Sequence, residues 1–135
     1  MKEECVSITI ELARNIVETD FSAFDSAVVE KARNRLMDVA GCAVAGAGAP
    51  GCSMLLDLMR EWGGAKESTL LGLGGKFPVH HAAMLNSVFA RSYDFEPTGA
   101  LVEGKSTPSH IAGTTVPAAL AAGEARGASV SRSWT

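Results

Sequence analysis

Apolar residues recur at helical spacing along most of this chain. Between residues 8 and 19, Ile8, Leu12, Ile16 and Val17 share one face, which predicts a first amphipathic helix. Asp20 to Phe24 breaks it. Asp25 or Ser26 is suited to cap the next helix, because either side chain can accept a bond from an unpaired first-turn N–H. In that second helix Val28, Ala32, Leu36, Val39, Ala40 and Ala43 form a stripe, with Glu30, Lys31, Arg33, Asn34 and Arg35 largely off it. Its later part, Gly41 to Gly46, consists of small residues that would let another helix pack close. Glycine in a helix costs about 1 kcal/mol relative to alanine, so packing must compensate there. Gly48-Ala49-Pro50-Gly51 ends the helix.

Met54, Leu55, Leu58, Met59 and Trp62 predict a third helix closed by Gly63-Gly64, with its Met and Trp residues read as core. Ser68 to Leu73 reads as a short extended piece, followed by a turn at Gly74-Gly75-Lys76. A fourth helix runs from Pro78, which suits a first turn, to about Ser92. Val79, Ala82, Ala83, Asn86, Phe89 and Ala90 fall on one broad face of it. A fifth, capped by Gly113-Thr114-Thr115, continues through Pro117, Ala118, Leu120 and Ala121 to near Gly127. The reading is an all-α unit of about five helices with a long loop before the last. It places one helical domain at residues 1–127 and an unstructured tail at 128–135.

Composition narrows the classes. With 135 residues the chain can hold one domain with a real core, and 47% apolar against 20% charged residues excludes a disordered protein. Aromatics make up only 6%, so the core favours close helix approach over an aromatic cluster. A net charge of −3 gives no basic field, which argues against nucleic acid or an anionic membrane as partner. The longest apolar-and-small run, Val39 to Ala49, is too short and too Gly-rich to span a bilayer. The N-terminus, Met1-Lys2-Glu3-Glu4-Cys5, lacks a signal-peptide run. Cys5, Cys42 and Cys52 are an odd set with no C-x-x-C spacing, read most simply as reduced thiols of a cytoplasmic protein. The alternative is a Cys42–Cys52 disulfide across the Gly-rich turn. A phosphate-loop reading of that turn fails, because no Lys-Ser/Thr pair follows and no strand precedes it.

The candidate chemistry is concentrated between Tyr93 and His110. This stretch gathers Asp94, Glu96, Thr98, Glu103, Lys105 and His110, punctuated by Pro97, Gly99, Gly104 and Pro108. A helix-to-helix connection of that length in a compact domain is usually functional or disordered. His110 lies three residues before Gly113-Thr114 at a predicted helix start, where free N–H groups and positive partial charge suit a carboxylate. An imidazole there can act as general base or acid near neutral pH. Asp94 can orient a base or simply satisfy loop N–H groups. Thr98 and Thr114 can bind substrate oxygens, and Lys105 can pair with an anion or stay solvated. In isolation each residue reads as loop polarity. His80 and His81 are adjacent, so on a helix they point about 100° apart and do not share one ion. No ligand spacing such as H-E-x-x-H occurs, and no metal is expected.

Four stretches together resemble the N-terminal part of the MmgE/PrpD family, which includes 2-methylcitrate dehydratase, cis-aconitate decarboxylase and iminodisuccinate epimerase. Val28-Val29-Glu30-Lys31-Ala32-Arg33 with Asp38-Val39-Ala40-Gly41 is similar to its opening helix, and Ala82-Ala83-Met84-Leu85-Asn86 to its A-A-x-x-N helix. Ala90-Arg91-Ser92-Tyr93-Asp94-Phe95-Glu96-Pro97-Thr98 resembles its A-H-x-x-D-F-D-D-T signature. His110, Gly113 and Val116-Pro117-Ala118-Ala119-Leu120-Ala121 resemble its histidine, glycine and v-P-a-l-A run. The resemblance implies an N-terminal helical domain of an enzyme acting on a small di- or tricarboxylic acid, most directly a hydro-lyase. It implies no cofactor and a homodimer for the full-length protein. His110 would transfer the proton, with Asp94 and Thr98 shaping the carboxylate pocket; Lys105 and Thr114 are substrate-binding candidates from the loop and the helix start themselves. Arg91 replaces a histidine, Glu96-Pro97 replaces a pair of aspartates, and the gap from Thr98 to His110 is longer. An epimerase of the same family and a non-catalytic helical packing or dimerisation module are therefore the alternatives. Family members are several times longer, so the resemblance also implies an N-terminal fragment, inactive alone.

Overall fold

The computed structural model describes residues 7–95, 101–106 and 110–128. Among these, five α-helices form: α1 (Ile8–Glu18), α2 (Ser26–Gly46), α3 (Cys52–Trp62), α4 (Val79–Arg91) and α5 (Ala112–Ala125). A 3-10 turn, Phe21–Ala23, joins the first two. Two antiparallel ladders of two residues a side complete the set. In the first, β1 (Ser68–Thr69) pairs with β2 (Lys76–Phe77), setting Ser68 opposite Phe77. In the second, β3 (Leu101–Val102) pairs with β4 (Lys105–Ser106). The mostly-α reading holds, and the second hairpin is the addition. Glu103 and Gly104 carry φ of 51° and 74°, the two left-handed residues that a tight hairpin turn requires.

Helix starts follow local chemistry. The Asp25 carboxylate accepts from the Val28 N–H at 2.8 Å and so caps α2. α5 begins earlier than expected: Ile111 is its N-cap, and Gly113, Thr114 and Thr115 lie inside it. The two threonine hydroxyls donate back to the Ile111 carbonyl, at 3.0 and 2.9 Å, instead of capping the helix.

α4 is the hub, packed against α2, α3, α5, β1 and β2. It buries His81, Ala82, Leu85, Asn86, Phe89 and Ala90, and of these Leu85, Phe89 and Ala90 join Val39 and Ala43 of α2, Leu56 and Met59 of α3, and Leu70 beyond β1 in one core cluster. The small-residue end of α2 serves this contact. A Cβ on Gly46 would stand 1.9 Å from the Phe89 carbonyl oxygen, so only glycine permits the approach. Cys42 and Cys52 are free thiols, not a disulfide. Cys52 lies beneath the same junction, with Sγ 3.5 Å from the Gly46 carbonyl and 3.2 Å from Ser92 Oγ.

Burial departs from periodicity in three places. α1 is helical as expected, yet all its residues are exposed and it packs on none of the other described elements. Val28, at the head of the α2 stripe, is also exposed, since α4 meets only the second half of α2. In α3 the buried positions are Cys52, Leu56 and Met59, at spacings of four and three, which turns Met54 outward at 76% exposure. Trp62 ends the helix 63% exposed, with its ring centroid 5.9 Å from that of His81. These two residues are surface rather than core.

Polar side chains pin the β1–β2 hairpin to the helices. Asn86 accepts from the Leu71 N–H at 2.9 Å and donates to the Thr69 carbonyl at 3.1 Å, serving both halves of one peptide segment. Ser68 donates to the Ala121 carbonyl at 2.7 Å. The Glu124 carboxylate accepts from the Thr69 hydroxyl and N–H, at 2.7 and 2.6 Å, and pairs with Lys76 at 3.0 Å. The Thr69 bonds first, and Lys76 after them, draw the Glu124 pKa from 4.5 to about 2.

Two predictions test this packing. Gly46→Ala should cost at least about 3 kcal/mol in denaturant unfolding, because a backbone carbonyl cannot give way as a flexible side chain can. Gly41→Ala, where nothing lies within 4 Å, should gain roughly 0.5–1 kcal/mol; equal effects at both positions would contradict the close approach. For Glu124, a folded pKa below the unfolded one means stabilisation that is complete above about 4.5 and lost as pH falls towards 2. Thermal melts should show Glu124→Gln less stable than wild type at pH 7, with the gap closing over that window.

Candidate active site

α4 ends at Arg91, and the chain then makes a sharp turn that fixes the next acidic side chain. The Asp94 N–H donates to the Arg91 carbonyl at 3.0 Å, and Asp94 itself takes φ of 57°. Left-handed backbone is costly for most L-residues, but aspartate and asparagine, with short polar side chains, adopt it more readily. The turn brings Asp94 Oδ1 to 3.7 Å from Arg91 Nη2. Tyr93 and Phe95 flank it, both exposed, with ring centroids 5.5 Å apart.

The second contributor arrives from the far end of the loop. His110 stands two residues before α5, and the α4–α5 contact is the most extensive between any two elements. That packing sets the residue after one helix beside the residue before the other. His110 Nδ1 lies 4.0 Å from Asp94 Oδ1, the same oxygen that faces Arg91. The spacing is longer than that of a closed hydrogen bond. Catalytic hydrogen bonds are often long before substrate binds, so the spacing is compatible with proton transfer. Among the described residues α5 has no side-chain cap at its N-terminus. Its first-turn dipoles therefore lie next to His110, where they favour an anion.

Of the residues singled out by sequence, Asp94 and His110 come together across 16 positions of chain. Thr98 lies outside the described residues. Thr114 is on the exposed side of the first turn of α5, its hydroxyl hydrogen directed to the Ile111 carbonyl. Lys105 is exposed on β4. Arg91, which sequence reasoning did not place among the site residues, joins the cluster; its signal was the three-residue spacing to Asp94 at a helix end. His80 is exposed and His81 buried, with their ring centroids 4.3 Å apart. Among the described residues no three His, Cys, Asp or Glu side chains are grouped to hold a metal, and no helix is long and apolar enough to cross a membrane.

Fold and geometry thus define a helical domain that sets a carboxylate and an imidazole where one helix ends and the next begins. The sequence profile of the MmgE/PrpD N-terminal domain matches residues 10–134, and the chain belongs to the MmgE/PrpD family. A search of curated proteins found no match.

The strained turn has a measurable consequence. Asp94→Asn should leave stability within about 0.5 kcal/mol of wild type, while Asp94→Ala should lose roughly 1–2 kcal/mol because alanine resists left-handed backbone. Equal denaturation midpoints for the two variants would mean that the turn does not hold Asp94 in place.

Proposed function

We propose that this domain supplies the proton-transfer half of a lyase site for a small di- or tricarboxylic acid of the 2-methylcitrate type. The observation that carries the reading is the approach of His110 Nδ1 to Asp94 Oδ1, 4.0 Å, beside the start of α5. A carboxylate acidifies the carbon next to it only weakly, so abstraction needs both a positioned base and donors for the charge that develops. His110 takes the proton from that carbon, and Asp94 stabilises the imidazolium that results. The α5 N-terminus holds the substrate carboxylate, with Thr114 at its first turn and Lys105 and Thr98 in supporting roles. The electron pair left by the C–H bond forms the C=C bond as the C–O bond to the neighbouring hydroxyl breaks, and that hydroxyl departs as water with the proton that the His110 imidazolium gives up. Homodimerisation and a cytoplasmic setting accompany this reading by family resemblance.

An epimerase shares the first step and returns the proton to the opposite face. What favours it is the local departure from the family signature, with Arg91 in place of histidine and Glu96-Pro97 in place of two aspartates.

Binding of succinate, citrate and 2-methylcitrate, followed by NMR on the labelled chain, tests the site. Shifts should concentrate at Asp94, His110 and residues 112–115; shifts scattered over the surface, or none, would remove the proposal. In enzyme that turns over, His110→Ala should slow deuterium uptake from solvent at the reacting carbon by about a hundredfold or more. Release of water identifies the lyase, and inversion without net chemical change the epimerase.

A further inference from the structure

We propose that the start of α4 carries a second site, for a soft monovalent cation of the copper(I) class, held by His80, His81 and Met84 with the Trp62 ring beside it. One atom without a partner points to it. His81 is only 8% exposed, and among the described residues its Nδ1 is buried with no hydrogen bond. A buried polar atom left unpaired costs about 1–3 kcal/mol, which a bound ligand relieves. The neighbouring ring supplies a second nitrogen. Adjacent helix positions leave the axis about 100° apart, yet the His80 and His81 rings turn back to an edge-on contact with centroids 4.3 Å apart. Two nitrogens on one ion lie at most about 4 Å apart, twice a metal–nitrogen bond of about 2.0–2.1 Å. His80 is exposed, so its ring can turn about χ2 and bring a nitrogen of each ring into that span without moving the backbone.

The rest of the ligand set decides the ion. Met84 stands four positions after His80 and three after His81, hence on the same side of α4, and it is 39% exposed. Among the described residues no third His, Cys, Asp or Glu joins the pair, which leaves two imidazoles and one thioether. Structural zinc takes four thiolate, imidazole or carboxylate ligands, and calcium and magnesium take oxygens, so the set suits none of them. Thioether and imidazole together suit copper(I), a soft ion that accepts two or three ligands. Trp62 fits the same ion. Its ring centroid lies 5.9 Å from that of His81, it is 63% exposed, and an indole face attracts a cation. The positive end of the α4 dipole opposes a cation, but the Glu67 carboxylate, which accepts from the Val79 N–H at 3.2 Å, offsets it.

Silver(I), a soft and redox-inert stand-in for copper(I), tests the site by NMR titration of the full 135-residue chain, read at the Met84 methyl and the His80 and His81 rings. Cysteine thiols bind silver as well, so only these signals count. They should move together, and at a silver concentration about tenfold or more below that which moves the lone thioether of Met54, 76% exposed on α3. Met84→Leu and His80→Ala, both at exposed positions, should each weaken the response of the remaining ligands by at least the roughly tenfold that changes around a metal site cost. Zinc(II) should bind there more weakly than silver. A Met84 methyl that responds no earlier than that of Met54, an unchanged histidine response in Met84→Leu, or zinc binding more tightly than silver would each overturn the proposal.

Discussion

The carbonyl oxygen of Phe89 occupies the space where any residue but glycine would carry a side chain at position 46. Much of the arrangement depends on that contact. It lets α2 and α4 approach closely enough for Val39 and Ala43 to close over Leu85 and Phe89. It also fixes the end of α4, because Ser92, one residue beyond the helix, meets Cys52 under the same junction. Arg91 and Asp94 leave from this anchored end. The precision of an exposed loop cluster therefore derives from a backbone contact inside the core.

The other side of α4 is secured by polar groups. A two-stranded ladder of two residues a side is too small to persist by itself. Here it is tied to α4 through Asn86 and to α5 through Glu124 and the Ser68 hydroxyl. The Glu124 carboxylate is accessible to solvent, so its worth lies in three directed donors rather than in one ion pair of the kind that water screens. α4 and α5 are thereby held in register, and that register decides whether Asp94 and His110 meet.

All five helices were legible from spacing, because 3.6-residue periodicity reports a helix whether or not the helix is buried. Depth was not legible. Ile8, Leu12 and Ile16 make as regular a stripe as any in the chain, yet α1 carries it in the open. Met54 and Trp62 look like core residues, but the face of α3 is chosen by α4, which a local window cannot see. The β3–β4 hairpin was within reach: Val102-Glu103-Gly104-Lys105 has glycine at the second turn position, although glutamate at the first masks it. In the site, Asp94 and His110 stood out by residue type and family pattern. Their approach across the loop depends on α4–α5 packing, as does Arg91's place beside them.

Asn86 carries one more implication. Its amide acts as an acceptor towards Leu71 and a donor towards Thr69, a division that no carboxylate can reproduce. Chemical ageing of this side chain, by hydrolytic loss of ammonia, would replace the donor with a second oxygen facing the Thr69 carbonyl. Attraction would become repulsion at the seam between hairpin and helix. Burial of Asn86 at 3% exposure keeps bulk water away from the amide that forms this lock.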